Sequence, residues 1–80
     1  PKNVDLNLDA INSFLHSPLS QREFEVLQLI YGGKTNQQIS QELYISINTL
    51  KRHINNAYMR LDVNTRTTAI KKLRDLMKLK

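Results

Sequence analysis

The chain has no cysteine, no tryptophan, and only two glycines and two prolines among its 80 residues. Without cysteine it can form neither a disulfide framework nor a cysteine-based zinc site. No apolar run approaches about 18 residues, which excludes a membrane-spanning helix. A chain this short forms one small domain that buries only about 60% of its unfolded surface, so a deep active site has little room. We expect no enzyme, no cofactor and no metal ion, and we expect a protein of the reducing cytoplasm.

Acidic residues are also scarce, and the charge is unevenly distributed. Twelve Lys and Arg outnumber seven Asp and Glu, for a formal net charge of +5. Residues 1–45 carry three bases and five acids, a net charge of −2, whereas residues 46–80 carry nine bases and two acids, a net charge of +7. This asymmetry predicts an anionic partner for the second half. Charge alone leaves nucleic acid, an acidic protein, an anionic membrane surface and a merely solvated basic face open.

Helical periodicity dominates the chain, since no segment alternates apolar and polar residues long enough to predict a strand. Apolar residues at helical spacing from Leu8 to Leu15 predict a short N-terminal helix capped by Asn7. This helix should end near His16, because Pro18 disfavours helix in the residue before it. We interpret residues 1–17 as this short helix or a linker.

Capping residues mark the starts of four further helices. They are the capping box from Ser20 to Glu23, a second box from Thr35 to Gln38, Ser46, and Asn64 or Thr65. Gly32 and Gly33 supply a positive-φ stop for the first of these helices, the third is predicted over 47–61, and the fourth runs to about Leu79. The sequence therefore predicts an all-α protein, a small helix-turn-helix bundle of four helices at 18–80 plus the N-terminal helix or linker.

The helix predicted over 47–61 has two contrasting faces on a helical wheel. One face is an apolar stripe formed by Leu50, Ile54, Ala57, Tyr58 and Leu61. The other face has no acid and consists of Asn48, Lys51, Arg52, Asn55, Asn56 and Met59. Lys and Arg pair with guanine and Asn pairs with adenine in the major groove, whereas a solvated helix face usually includes acids. A short helix over 36–43 and a turn precede it, which makes a helix-turn-helix and favours DNA binding.

Four stretches carry a resemblance to a known family. They are LSQREFEVL at 19–27, GKTNQQI at 33–39, ISINTLKRHINN at 45–56 and LDVNTRTTAI at 61–70. Together they resemble the LuxR-type helix-turn-helix domain of the NarL/FixJ/GerE group, from about residue 18 to residue 70 without a gap. The resemblance implies sequence-specific binding of double-stranded DNA by the output domain of a bacterial transcription regulator, with the third helix of the bundle in the major groove.

The resemblance also implies roles for individual residues. The positions that face bases are occupied by Lys51, Arg52 and Asn55. The positions expected to contact the DNA backbone are occupied by Thr35, Asn36, Ser46, Asn48, Thr49, Asn56 and Arg60. The backbone role has a physical reason at Thr35, Asn36 and Ser46, because free N–H groups at a helix N-terminus favour a phosphate.

The fourth helix of the bundle has a wider apolar stripe than the cover of a three-helix core requires. We assign Leu73, Leu76 and Met77 to a homodimer interface, with a purely structural core as the alternative. Paired domains would place two recognition helices about one duplex turn apart on a two-fold symmetric site, and the pairing is expected to be weak without DNA. RNA polymerase is a further candidate partner.

Three positions depart from the family pattern. Asn55 replaces a common Lys or Arg, which leaves the base preference at that step open. Tyr44 replaces a frequent Gly in the turn, so we expect Tyr44 to pack rather than permit a positive φ. Asp62 also stands where Gly is frequent, and Asp tolerates that helix-end geometry better than most residues.

The main alternative function is a helical protein-interaction module whose basic face binds an acidic partner. It predicts tight protein binding with no salt-sensitive affinity for duplex DNA. A membrane-surface role is weaker, because the basic face holds Asn rather than interfacial aromatic residues. The chain begins with Pro1 rather than Met, which allows a larger parent protein that carries a sensor.

Overall fold

The computed structural model describes residues 6–78, which form five α-helices and no β-strand. The helices are α1 (Leu8–Asn12), α2 (Gln21–Tyr31), α3 (Asn36–Leu43), α4 (Ile47–Leu61) and α5 (Arg66–Lys78). This confirms the all-α bundle of four helices preceded by a short N-terminal helix. None of the five described helices combines the length and the apolar composition that crossing a membrane requires. Leu79, the predicted end of the last helix, lies outside the described residues.

Helices α2 and α3 both begin with the predicted capping box. The Ser20 hydroxyl accepts a hydrogen bond from the Glu23 N–H at 3.1 Å, and the Glu23 carboxylate accepts one from the Ser20 N–H at 3.0 Å. Thr35 and Gln38 form the same reciprocal pair at 3.1 and 2.9 Å. Each box satisfies N–H groups that the helix leaves unpaired, and replacing such a cap by Ala typically costs about 1 kcal/mol. Local sequence therefore decides where these helices start.

Helix α1 ends at Asn12, before the predicted end near His16. The Asn7 side chain caps the helix as predicted, since it accepts a hydrogen bond from the Ala10 N–H at 3.0 Å. The Ser13 hydroxyl donates to the Ala10 carbonyl oxygen at 2.6 Å and so offers the backbone an alternative to the helical ladder. The prediction was too long because a downstream proline sets only an outer limit for the helix.

The turn between α3 and α4 shows that the expectation for Tyr44 was wrong. Its φ of 58° and ψ of 43° lie in the left-handed region, and the residue is 94% exposed rather than packed. This conformation lets the N–H groups of Tyr44 and Ile45 bond back to the carbonyl oxygens of Gln41 and Ser40, which closes α3. The tight turn imposes the left-handed residue whatever side chain it carries. Asp62 has the same conformation, with a φ of 59°, at the end of α4.

Helix α4 occupies the centre of the packing, against α2, α3 and α5. Its buried side chains are Leu50, Ile54, Ala57 and Leu61. The facing core residues of α2 are Phe24, Val26, Leu27 and Ile30. Helix α1 packs on α5, and the Asn12 side chain ties α1 to the segment before α2 by accepting a hydrogen bond from the Leu19 N–H at 2.8 Å. With one face of α4 in the core, its opposite face points outward.

Candidate nucleic-acid interface

The outward face of α4 carries the residues predicted to contact bases. Lys51, Arg52 and Asn55 are all exposed. Asn48 is exposed as well, and its spacing of three or four positions from Lys51 and Arg52 puts it on the same side of the helix. The structure therefore brings four hydrogen-bonding side chains together on one surface of a single rigid element.

No acid of the described residues neutralises this face. Within residues 6–78 the ion pairs are Arg22–Glu25 at 3.3 Å, Lys34–Glu42 at 3.5 Å, Arg60–Glu23 at 2.9 Å and Lys71–Asp75 at 3.1 Å. Lys51 and Arg52 take part in none of these pairs. Four of the acids are thus committed to bases elsewhere, and the outward face of α4 keeps its positive charge toward solvent.

The hydroxyl groups that cap α3 and α4 differ in what they can still donate. Thr35 Oγ1 accepts the Gln38 N–H, so the cap does not use the proton of the Thr35 hydroxyl. Ser46 Oγ accepts the Thr49 N–H at 3.0 Å and donates its own proton to Thr49 Oγ1 at 3.0 Å. The Thr49 hydroxyl therefore keeps a proton to donate outward, whereas Ser46 serves as the cap that holds Thr49 in place.

Asn36 has an intramolecular partner that sequence reasoning missed. Its Oδ1 accepts a hydrogen bond from Arg66 Nη1 at 2.9 Å, and Arg66 Nη2 also donates to the Lys34 carbonyl oxygen. Arg66 thereby ties the start of α5 to the start of α3. The amide nitrogen of Asn36 remains a donor for a phosphate. Arg66 stands in a stretch that resembles the family, but no local spacing pairs it with Asn36, because the contact exists only in the folded bundle.

Arg60, predicted to contact the DNA backbone, also has a partner inside the domain. Its Nε donates to Glu23 Oε1 at 2.9 Å, and the same oxygen accepts the Ser20 N–H. The Glu23 side chain is only 6% exposed, whereas the Arg60 side chain is 33% exposed. Within residues 6–78, both Nη nitrogens of Arg60 lack a hydrogen-bond partner, so they can still reach a phosphate. One carboxylate oxygen therefore joins the start of α2 to the end of α4.

The remaining polar groups of α4 add no negative charge to the interface. Burial raises the pKa of the Tyr58 phenol, and the Arg66 guanidinium opposes that shift. Tyr58 is therefore neutral at neutral pH. Asn56 and His53 are half-buried, and the part of the chain that is described holds no cluster of three or more metal-ligating side chains.

The three residues predicted at a dimer interface have different environments. Leu73 is fully buried and Leu76 is 7% exposed, so both belong to the core of the domain itself. Met77 is only partly buried, as is Ile70, which lies about two turns earlier on the same side of α5. Met77 and Ile70 thus keep exposed area on α5, whereas Leu73 and Leu76 do not, because α1, α2 and α4 already cover the centre of its apolar stripe.

Comparison with known proteins decides the family. The family model of the luxR family of bacterial regulatory proteins (GerE) matches residues 17–73. The chain belongs to this family. The match includes all of α2, α3 and α4 and most of α5, so the luxR-family assignment covers every residue predicted to contact DNA.

Relatives of this luxR-family domain are transcriptional regulators. The transcriptional regulatory protein LiaR of Bacillus subtilis is 50% identical over 58 residues, which cover 72% of this chain and 28% of LiaR. The HTH-type transcriptional regulator MalT of Vibrio campbellii is 48% identical over 63 residues, covering 79% of this chain and 7% of MalT. The crystal structure of the response regulator ChrA of a heme-sensing two-component system superposes with a TM-score of 0.72 at 38% identity, covering 81% of this chain and 32% of ChrA. The chain thus spans less than a third of each protein.

The contact between Glu23 and Arg60 makes a prediction about stability. Replacing Arg60 by Ala leaves a buried carboxylate without its cationic partner, which should lower the free energy of unfolding by about 1–3 kcal/mol. Urea unfolding followed by circular dichroism measures this change. Arg22→Ala is the matched control, since it breaks an exposed pair with Glu25 and should cost about 0–1 kcal/mol. If both variants lost the same free energy of unfolding, the contact between Arg60 and Glu23 would contribute no more than an exposed ion pair.

Proposed function

We propose that this luxR-family domain binds double-stranded DNA in a sequence-specific manner, as the output domain of a bacterial transcription regulator in the cytoplasm. The observation that carries the proposal is the exposed, acid-free face of α4 with Lys51, Arg52 and Asn55. Its relatives LiaR and MalT are transcriptional regulators, an activity that such a face serves. Residues 18–80 form the binding unit, and residues 1–17 lead into it.

Helix α4 enters the major groove with its outward face toward the base edges. Lys51 and Arg52 are suited to the acceptor atoms of guanine, and the Asn55 amide is suited to adenine, which offers an acceptor beside a donor. These contacts supply the discrimination between sequences. The buried stripe of α4 holds the helix rigidly, so the three side chains approach the bases as one surface.

The backbone contacts come from groups around that face. Thr35, Thr49, the amide of Asn36 and the Nη nitrogens of Arg60 each have a donor to offer a phosphate. Asn48 and Asn56 complete the predicted set from α4, and Ser46 acts through Thr49. Phosphate contacts position the domain on the duplex without reading its sequence.

Two copies of the domain pair through the partly buried flank of α5 that carries Ile70 and Met77. Such pairing has two-fold symmetry, and it would place two α4 helices about one duplex turn apart. Selection of bound duplexes from a random pool tests the arrangement. We expect a two-fold symmetric consensus with half-sites about 10 base pairs apart. A consensus with a single asymmetric site would exclude the paired arrangement and leave DNA binding intact.

Salt dependence of binding tests the function itself. Fluorescence anisotropy with a random-sequence duplex should show an affinity that falls about 40-fold between 50 and 200 mM salt if about three phosphates are neutralised. The alternative, a module that binds an acidic protein, predicts no salt-sensitive affinity for the duplex. Absence of such binding by the folded protein would therefore overturn the proposed function.

Substitutions in α4 test which residues read the bases. Lys51→Ala or Arg52→Ala should reduce the preference for the selected duplex over a scrambled one by about 1–3 kcal/mol in a mobility-shift comparison. Lys71→Ala is the matched control, because Lys71 is paired with Asp75 on α5 at 3.1 Å and should not affect the preference. Unchanged preference in both α4 variants would remove these two residues from the reading surface.

A further inference from the structure

Tyr44 combines a left-handed backbone with an exposed aromatic side chain, and both features are unfavourable. The fold requires the backbone conformation but not the aromatic side chain. Its backbone is left-handed, a conformation that is unfavourable for an ordinary residue relative to the right-handed region. Its side chain is 94% exposed, the highest value among the large apolar and aromatic residues between positions 6 and 78. The Tyr44 ring therefore gains no stabilisation from packing inside the domain.

Asp62 provides a comparison within the same molecule. Its φ of 59° at the end of α4 nearly equals the φ of 58° at Tyr44, so the two turns make the same demand on the backbone. Asp meets that demand with a short polar side chain, which is one of the few that tolerate the left-handed region. Gly or Asn at position 44 would meet it as well. The turn explains the conformation of Tyr44 but not the presence of a tyrosine.

The position of Tyr44 relates it to the DNA-reading face. It lies two residues before Ser46, the cap of α4, and the next exposed large apolar side chain along the chain is Ile47 at the start of α4. The acid nearest in sequence, Glu42, is engaged by Lys34 at 3.5 Å. An exposed aromatic ring thus stands in the turn between α3 and α4, two residues before the cap of α4, and the carboxylate nearest to it in sequence is already paired.

We propose that Tyr44 is a DNA-backbone contact, in which the ring packs on a deoxyribose and the phenol O–H donates a hydrogen bond to a phosphate. The proposal rests on the proposed function. A paired duplex exposes sugars and phosphates to such a residue, whereas its base faces are stacked, and tyrosine is among the side chains that donate to phosphate oxygens. A contact of this kind carries no sequence information and no charge. It therefore adds equally to binding of all duplexes and releases no counterion.

Three variants of Tyr44 separate the ring, the hydroxyl and the backbone. Tyr44→Gly should weaken binding about tenfold to both the selected and the scrambled duplex, because it removes the ring and the hydroxyl while relieving the left-handed strain. Tyr44→Asn should weaken binding by a similar factor, and it avoids the added backbone flexibility that glycine introduces. Tyr44→Phe should weaken it about threefold, since only the hydrogen bond is lost. The ratio of the two affinities and the slope of log affinity against log salt should not change.

Asp62→Gly is the matched control, because it relieves the same conformation at the other end of α4. It should leave both affinities unchanged, and thermal unfolding followed by circular dichroism should show that every variant is folded. Unchanged duplex affinity in folded Tyr44→Gly and Tyr44→Asn would overturn the contact while the proposed function stands. If the protein without any substitution bound no duplex, both the proposed function and the contact would be overturned.

Discussion

Burial of the apolar stripe of α4 is the interaction on which the rest of the structure depends. Leu50, Ala57 and Leu61 are completely buried, and α2, α3 and α5 all pack around this one helix. Apolar burial contributes about 25 cal/mol per Å², so a stripe of this size is a large share of what a small domain has to stabilise it. Side chains project from a helix at fixed angles. Burial of the apolar stripe therefore also orients Lys51, Arg52 and Asn55 away from the core. Stability and the orientation of the reading surface thus have one cause.

Hydrophobic burial is not directional, and polar contacts between the helices add directional constraints to it. Glu23 Oε1 receives both the Ser20 N–H and Arg60 Nε, which ties the start of α2 to the end of α4. Arg66 binds Asn36 and so ties α5 to the start of α3. Both contacts lie at or beside the ends of helices. Arg60 and Asn36 stabilise the fold through these hydrogen bonds. Only the Nη nitrogens of Arg60 and the amide nitrogen of Asn36 remain as donors for a ligand.

The sequence was informative wherever an interaction is local. The capping boxes at Ser20 and Thr35 formed as predicted, since a cap joins residues three positions apart and needs nothing from the rest of the chain. The exposed face of α4 could also be predicted, because the backbone geometry of a helix fixes which residues share a face. The prediction for Tyr44 was wrong because replacing the family's glycine does not change the backbone of the turn, whose length determines φ. The end of α1 was missed because a serine hydroxyl ended the helix before the proline limit.

By itself, the sequence determined the helices, their caps, the basic acid-free face and the family, because each depends on spacing along the chain. Only the tertiary structure decided which of those residues are already engaged. It placed Leu73 and Leu76 in the core, gave Asn36 and Arg60 partners in distant elements, and left Tyr44 exposed in the turn between α3 and α4. The physical reason is that side-chain hydrogen bonds and ion pairs join residues 30 or more positions apart, as Arg66 with Asn36 and Arg60 with Glu23. No local pattern encodes which pairs the packing of the helices brings together.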